Sequence, residues 1–253
     1  MSHEETLSLK LRNLHETIQE YAIKSGRDPS AIHLMCVSKK ATSSEIMQAI
    51  QSGETLFGEN YAQDAIPKIQ TIQQEIQHLS PPPKKTKFHF IGHLQQNKVK
   101  KIIPAFHRVD SVDSVQLANV ISTTVDSLFN VDLCKTIPYP YPILLEIKTS
   151  KDTSKYGIAP QEVPSIIESI LPMKHLQIEG FMTMATFTDQ ESEIRRCFSL
   201  LRSTKEEVES KFRIPFPVLS MGMTNDYPYA IQEGSTLLRI GSAIFGGSYE
   251  INP

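Results

Sequence analysis

Eight short apolar runs punctuate this chain, with stretches of helical period between them. The runs fall at 32–37, 55–58, 88–91, 108–112, 143–147, 178–184, 217–221 and 237–245. Apolar runs of this length, bounded by Gly, Pro, Ser and Asn, read as buried strands. Between them, 62–79 places Ile66, Ile69, Ile72 and Ile76 at three- and four-residue steps, and 115–128 and 193–212 are also amphipathic. Ser43-Ser44-Glu45-Ile46 opens a further helix with N-cap chemistry, and Gly53 closes it. Strands alternating with helices predict parallel β/α units. Eight of them in 253 residues, close to the roughly 250 typical of the architecture, predict an α/β fold. The specific expectation is one (β/α)8 TIM-type barrel domain spanning 1–253.

The segment 4–24 adds an N-terminal helix, with Leu7, Leu11, Leu14, Ile18, Tyr21 and Ala22 along one side and Gly26 as its stop. Only 246–253 follow the last run, too few residues for a full helix. The N-terminal helix is therefore expected to fill the open place in the outer ring. Pro81-Pro82-Pro83-Lys84-Lys85 reads as a stiff surface loop.

Composition narrows the function classes. Hydrophobic residues make up 40% and charged residues 21%, which suits a folded globular chain. A net charge of −2 gives no global reason to bind nucleic acid or a membrane. Lys98, Lys100 and Lys101 read as a solvated helix face. The N-terminus has no basic region followed by an apolar one, and no apolar stretch nears the roughly 20 residues of a membrane span. Cys36, Cys134 and Cys197 form no C-x-x-C pair, so neither a disulfide framework nor a zinc site is expected. His89 and His93 are four apart but straddle a strand and the loop beyond it, so they do not share a helix face. A cytoplasmic setting is expected.

In such a barrel, reactive groups lie at the C-terminal ends of strands. The first run stops at Val37-Ser38-Lys39-Lys40. A lysine amine can form an imine with an aldehyde once it has lost its proton. On pattern alone, either Lys39 or Lys40 could serve, or both could be solvated charges. The loops after the last two runs hold Ser220-Met221-Gly222-Met223-Thr224 and Arg239-Ile240-Gly241-Ser242. Glycines there allow close backbone approach, and Thr224 and Ser242 add hydroxyl donors, as a phosphate site needs. Tight turns alone would also account for the glycines. Arg239, between Leu238 and Ile240, must find a partner because it cannot shed its charge. That partner is either a structural carboxylate or the ring nitrogen of a bound cofactor.

Taken in order, these motifs resemble the pyridoxal 5′-phosphate (PLP) homeostasis proteins, a family related to the barrel domain of alanine racemase. The landmarks are Val37-Ser38-Lys39, Phe57-Gly58-Glu59-Asn60-Tyr61, His89-Phe90-Ile91-Gly92-His93-Leu94-Gln95, Lys155-Tyr156-Gly157, Gly180-Phe181-Met182-Thr183-Met184 and the two closing segments quoted above. The resemblance covers nearly the whole chain. It implies PLP held as an imine on Lys39, since the family lysine directly follows Val-Ser. It implies phosphate contacts from Thr224, Gly241, Ser242 and amides around Met223. Arg239 would face the pyridine nitrogen, and Asn60 would lie beside the ring; His93 would be near the site with no role assigned. Three departures stand out: Thr224 where the family usually has Ser, Ser242 where it has Thr, and Lys40-Ala41-Thr42 where it often has a proline. The implied role is a carrier in vitamin B6 homeostasis without robust catalysis. Such a carrier would act as a monomer and meet PLP-dependent enzymes transiently. The alternatives are an amino-acid racemase of the alanine-racemase type, which the expected lack of a second β-rich domain disfavours, and a phosphosugar enzyme, which leaves Lys39 and Arg239 unexplained.

Overall fold

The structure, a computed structural model, describes residues 6–129, 137–152 and 156–246. Its frame is eight parallel strands: β1 (His33–Val37), β2 (Leu56–Glu59), β3 (Lys87–Phe90), β4 (Arg108–Val112), β5 (Tyr141–Glu146), β6 (Leu176–Met182), β7 (Val218–Ser220) and β8 (Leu237–Ile240). They close in sequence order, β8 pairing back onto β1 with Met35 opposite Arg239 and Cys36 opposite Ile240. The predicted (β/α)8 barrel is therefore the observed fold. Most strands lie within two residues of the predicted runs.

The helices are α1 (Leu7–Lys24), α2 (Ser43–Gln51), α3 (Ala62–Ile76), α4 (Val99–Ile102), α5 (Val115–Phe129), α6 (Val163–Ile170), α7 (Glu191–Phe212), α8 (Tyr227–Gln232) and α9 (Ser242–Phe245). The cap of α2 is Thr42, whose side chain and that of Glu45 reciprocally bond each other's backbone amide. α1 starts at its cap Thr6, so the predicted residues 4 and 5 lie outside the described part. It packs against α2, α8 and α9, in the place expected of it. Arg27, just past its end, donates to the carbonyls of Ile231 and Ser235 at 2.8 and 2.7 Å.

One expectation is corrected. The last apolar run does not continue as a strand to Phe245: β8 stops at Ile240, and Ser242 begins the short α9. A four-residue helix contains barely one turn, too little to show a helical period.

Strands buried on both faces divide their side chains between two compartments. Leu34, Cys36, Leu238 and Ile240 belong to one continuous apolar cluster with the inner faces of the helices. Met35 and Arg239 alternate with them and so point into the barrel. Cys36 and Cys197 are buried and unbridged; Cys134 and Lys155 lie outside the described residues.

Candidate functional site

Because all eight strands are parallel, the segments after β1, β7 and β8 emerge at one mouth of the barrel. After β1 the chain turns: the Ala41 amide donates to the Ser38 carbonyl at 3.0 Å, placing Lys39 and Lys40 at the two central turn positions. Strand alternation therefore cannot separate these two lysines, because the strand has already ended. Both are exposed, so the Lys39 amine is open to an arriving aldehyde.

The turn is fixed from below by a buried ionic knot. Lys68 Nζ, from α3, lies 2.7 Å from Glu59 Oε1 and donates to the carbonyls of Ser38 and Ala41 at 2.8 and 3.2 Å. Ser38 Oγ donates to the same Glu59 oxygen at 2.7 Å. Glu59 and Ser38 are almost wholly buried, and only 11% of the Lys68 side chain is exposed. Lys68 reads locally as an ordinary helix lysine, and nothing around it in the sequence points to this role.

The loops after β7 and β8 meet beside that turn. Ser242 Oγ and Thr224 Oγ1 are 3.0 Å apart. At Gly241 an added Cβ would meet the Val37 carbonyl oxygen at 3.0 Å and the Val37 Cβ at 3.2 Å. The close approach to β1 therefore favours glycine. Gly222 has φ +97°, a left-handed conformation that glycine adopts without strain. The first amides of α9, like those of any helix start, lack intrahelical acceptors. The Met223 amide, by contrast, donates to Asp226 Oδ1 at 2.6 Å, so this conformation already gives it a partner.

Arg239 enters the mouth from β8 and is 4% exposed. Its Nη1 donates to Ser220 Oγ at 2.8 Å and its Nη2 to the Thr183 carbonyl at 2.9 Å. Among the described residues no carboxylate lies within ion-pair distance, so the structural salt bridge is not found. Burial draws its pKa below the ordinary arginine value, opposed by the charges of Asp110, Asp226 and Glu146. Glu146, at the end of β5, is itself pushed up to about 7, first by burial and then by Asp113, with Arg239 opposing. The sequence did not single out this carboxyl.

Asn60 follows β2, its backbone in close contact with Gly92 after β3. Its Oδ1 is buried and has no hydrogen-bond partner among the described residues. Buried amide oxygens are rarely left so, and this one can accept from a bound molecule. His93 stacks on Tyr156 with ring centroids 4.0 Å apart, and its Nδ1 is 3.6 Å from Asp113 Oδ2. The predicted residues thus converge on one mouth, though Met223 is differently engaged.

Comparisons with known proteins agree with this fold. The family model for the alanine racemase N-terminal domain matches residues 10–249. The pyridoxal phosphate homeostasis protein of Homo sapiens is 35% identical over 259 residues, covering 97% of this chain and 88% of the relative. Its namesake in Vibrio alginolyticus is 34% identical over 224 residues, covering 88% and 89%. PipY of Synechococcus elongatus, solved with PLP bound, superposes with a TM-score of 0.76 at 27% identity, covering 95% of this chain and all of that one. Alanine racemase of Corynebacterium glutamicum, at 14% identity and TM-score 0.61 over 95% of this chain and 62% of its own, shares the fold alone. With relatives this similar over nearly its whole length, the chain belongs to the pyridoxal phosphate homeostasis protein family.

Proposed function

We propose that this protein binds PLP at the C-terminal mouth of its barrel and serves vitamin B6 homeostasis by holding and releasing the cofactor. The observation that carries the reading is convergence: the Lys39 turn, the Gly241 approach to β1 and the Thr224–Ser242 hydroxyl pair lie together. Lys39 supplies the amine for a covalent imine link. Thr224, Gly241, Ser242 and the amides near Met223 would take the phosphate, the last after Asp226 gives way. Arg239, with only neutral oxygens as hydrogen-bond partners, would donate to the pyridine nitrogen and keep it unprotonated; an unprotonated ring is a weaker electron sink. The unsatisfied Asn60 Oδ1 fits a place beside the ring. PLP supplies an aldehyde and an electron-withdrawing ring; the protein supplies anchorage and orientation.

The proposal extends to one domain over 1–253, a monomer, a cytoplasmic setting and brief encounters with PLP-dependent enzymes. Among the described residues no helix is long and apolar enough to cross a membrane. An exposed lysine and a ring held at an unprotonated nitrogen suit reversible storage better than carbanion chemistry. The test is to load the protein with PLP, record its visible spectrum, and assay amino-acid racemisation. A coloured protein without turnover supports the carrier. Turnover in the ordinary range of about 1–10³ per second would establish the racemase instead. A protein that stays colourless would return the phosphosugar reading.

A further inference from the structure

The opposite mouth of the barrel is not closed. A cavity of about 1060 Å³ opens where β1, β2, β3, β4, β7 and β8 begin. That is the far end from Lys39 and the glycine loops. It is roofed by one face of α1, through Ser8, Leu11, Arg12 and His15. These positions follow the i, i+3, i+4, i+7 spacing of a single helical face. The N-terminal helix therefore does more than complete the outer ring: it walls a chamber that the eight β/α units alone would leave open.

The lining has an uneven charge. Among the described residues Glu54 is the one carboxylate lining the chamber, and His15 Nε2 occupies it at 2.6 Å. Arg108 at the rear is shared by two carboxylates, Asp110 through Nε at 2.6 Å and Nη2 at 2.9 Å, and Glu179 at 2.8 Å, so that cluster is net negative and offers no spare cation. Arg12, Lys85 and Lys87 have no anionic partner among the described residues. They come from two distant elements, α1 and the segment entering β3, yet border the same space. Between them the walls are apolar, with Leu34, Leu56 and Leu237 at the strand starts. Ligand chambers typically measure about 300–1,000 Å³ and combine apolar walls with a few convergent polar groups; this one reaches the upper end of that range.

We propose that this lower chamber binds a small organic phosphate with an apolar body, its phosphate held by Arg12, Lys85 and Lys87. The site is separate from the cofactor mouth, so both can be filled at once. Lysines serve as point charges for phosphate and arginine as a fork, and the apolar walls cover the body of the ligand.

The probe is phenyl phosphate, with inorganic phosphate as the control for the apolar part. Each is titrated calorimetrically into protein with and without saturating PLP, while the cofactor spectrum is followed. With saturating PLP, one equivalent of phenyl phosphate should bind without altering the spectrum, and more tightly than inorganic phosphate; without PLP that equivalent should still bind, beside any probe taken up by the emptied phosphate loops. The double variant Lys85→Glu/Lys87→Glu changes only exposed side chains, so folding is not at stake. It should weaken binding by about tenfold or more and flatten its salt dependence. Arg12→Glu should act in the same direction. The proposal is overturned if no binding occurs below about 1 mM, if the charge reversals leave binding unchanged, or if the probe displaces PLP. Because the titration is also run without PLP, a failure of cofactor binding would not be confused with a failure here.

Discussion

Breaking the knot beneath the lysine turn should cost the protein much of its stability and loosen its hold on the cofactor. Lys68→Met leaves the Glu59 carboxylate, 1% exposed, with Ser38 Oγ as its remaining side-chain donor among the described residues. It also removes the Lys68 donor from the carbonyls of Ser38 and Ala41 at the two ends of the turn. Removing one member of a buried ion pair typically costs about 3–5 kcal/mol, because the other charge stays buried. For a chain of this size each kcal/mol moves Tm by about 2–4 °C, so the fall should be roughly 6–20 °C. Glu59→Gln should cost a similar amount, for it strands the Lys68 ammonium. The double variant should be much less destabilised than the sum, since neither charge remains. Urea unfolding of the four proteins gives the coupling, and PLP titrations of the same set should show weaker binding in each single variant. Single variants within about 1 kcal/mol of the parent, or strictly additive losses, would refute the idea that this knot holds the turn.

Two other perturbations probe the mouth. Glu146 has a folded pKa near 7, above the unfolded carboxyl value, so its protonated form favours folding. That contribution is complete below the unfolded pKa and is lost as pH rises toward and through about 7. Glu146→Gln should therefore gain stability relative to the parent at pH 8 compared with pH 5, by up to about 3 kcal/mol; parallel pH–stability curves would contradict the burial assigned to it. Gly241→Ala must push a methyl against Val37, at about 1–3 kcal/mol. It should lower PLP affinity more than stability, as equilibrium dialysis and urea unfolding would show.

Much of the fold was legible because period and length agreed: each β/α unit carried its own apolar run, and eight closed the barrel. Hydrophobicity continues through the break at Gly241, so the apolar run 237–245 extends past the end of β8. α6 and α8 begin with proline-containing turns and are too short to show a helical period. Arg239 was visible because a cation between Leu238 and Ile240 demands an explanation. Lys68 was not, because its partners Ser38, Ala41 and Glu59 are distant in sequence and only the closed barrel brings them to it. Choosing between Lys39 and Lys40 likewise required more than the strand pattern, since a turn and not a strand carries both.

Borohydride reduction of the PLP-equilibrated protein, followed by mass mapping of the modified peptide, asks whether the aldehyde joins Lys39. One phosphopyridoxyl group per chain is expected, on Lys39, and none on a Lys39→Ala variant that still binds PLP weakly through its phosphate loops. Label on Lys40, label scattered over surface lysines, or unchanged labelling of Lys39→Ala would contradict a link to Lys39.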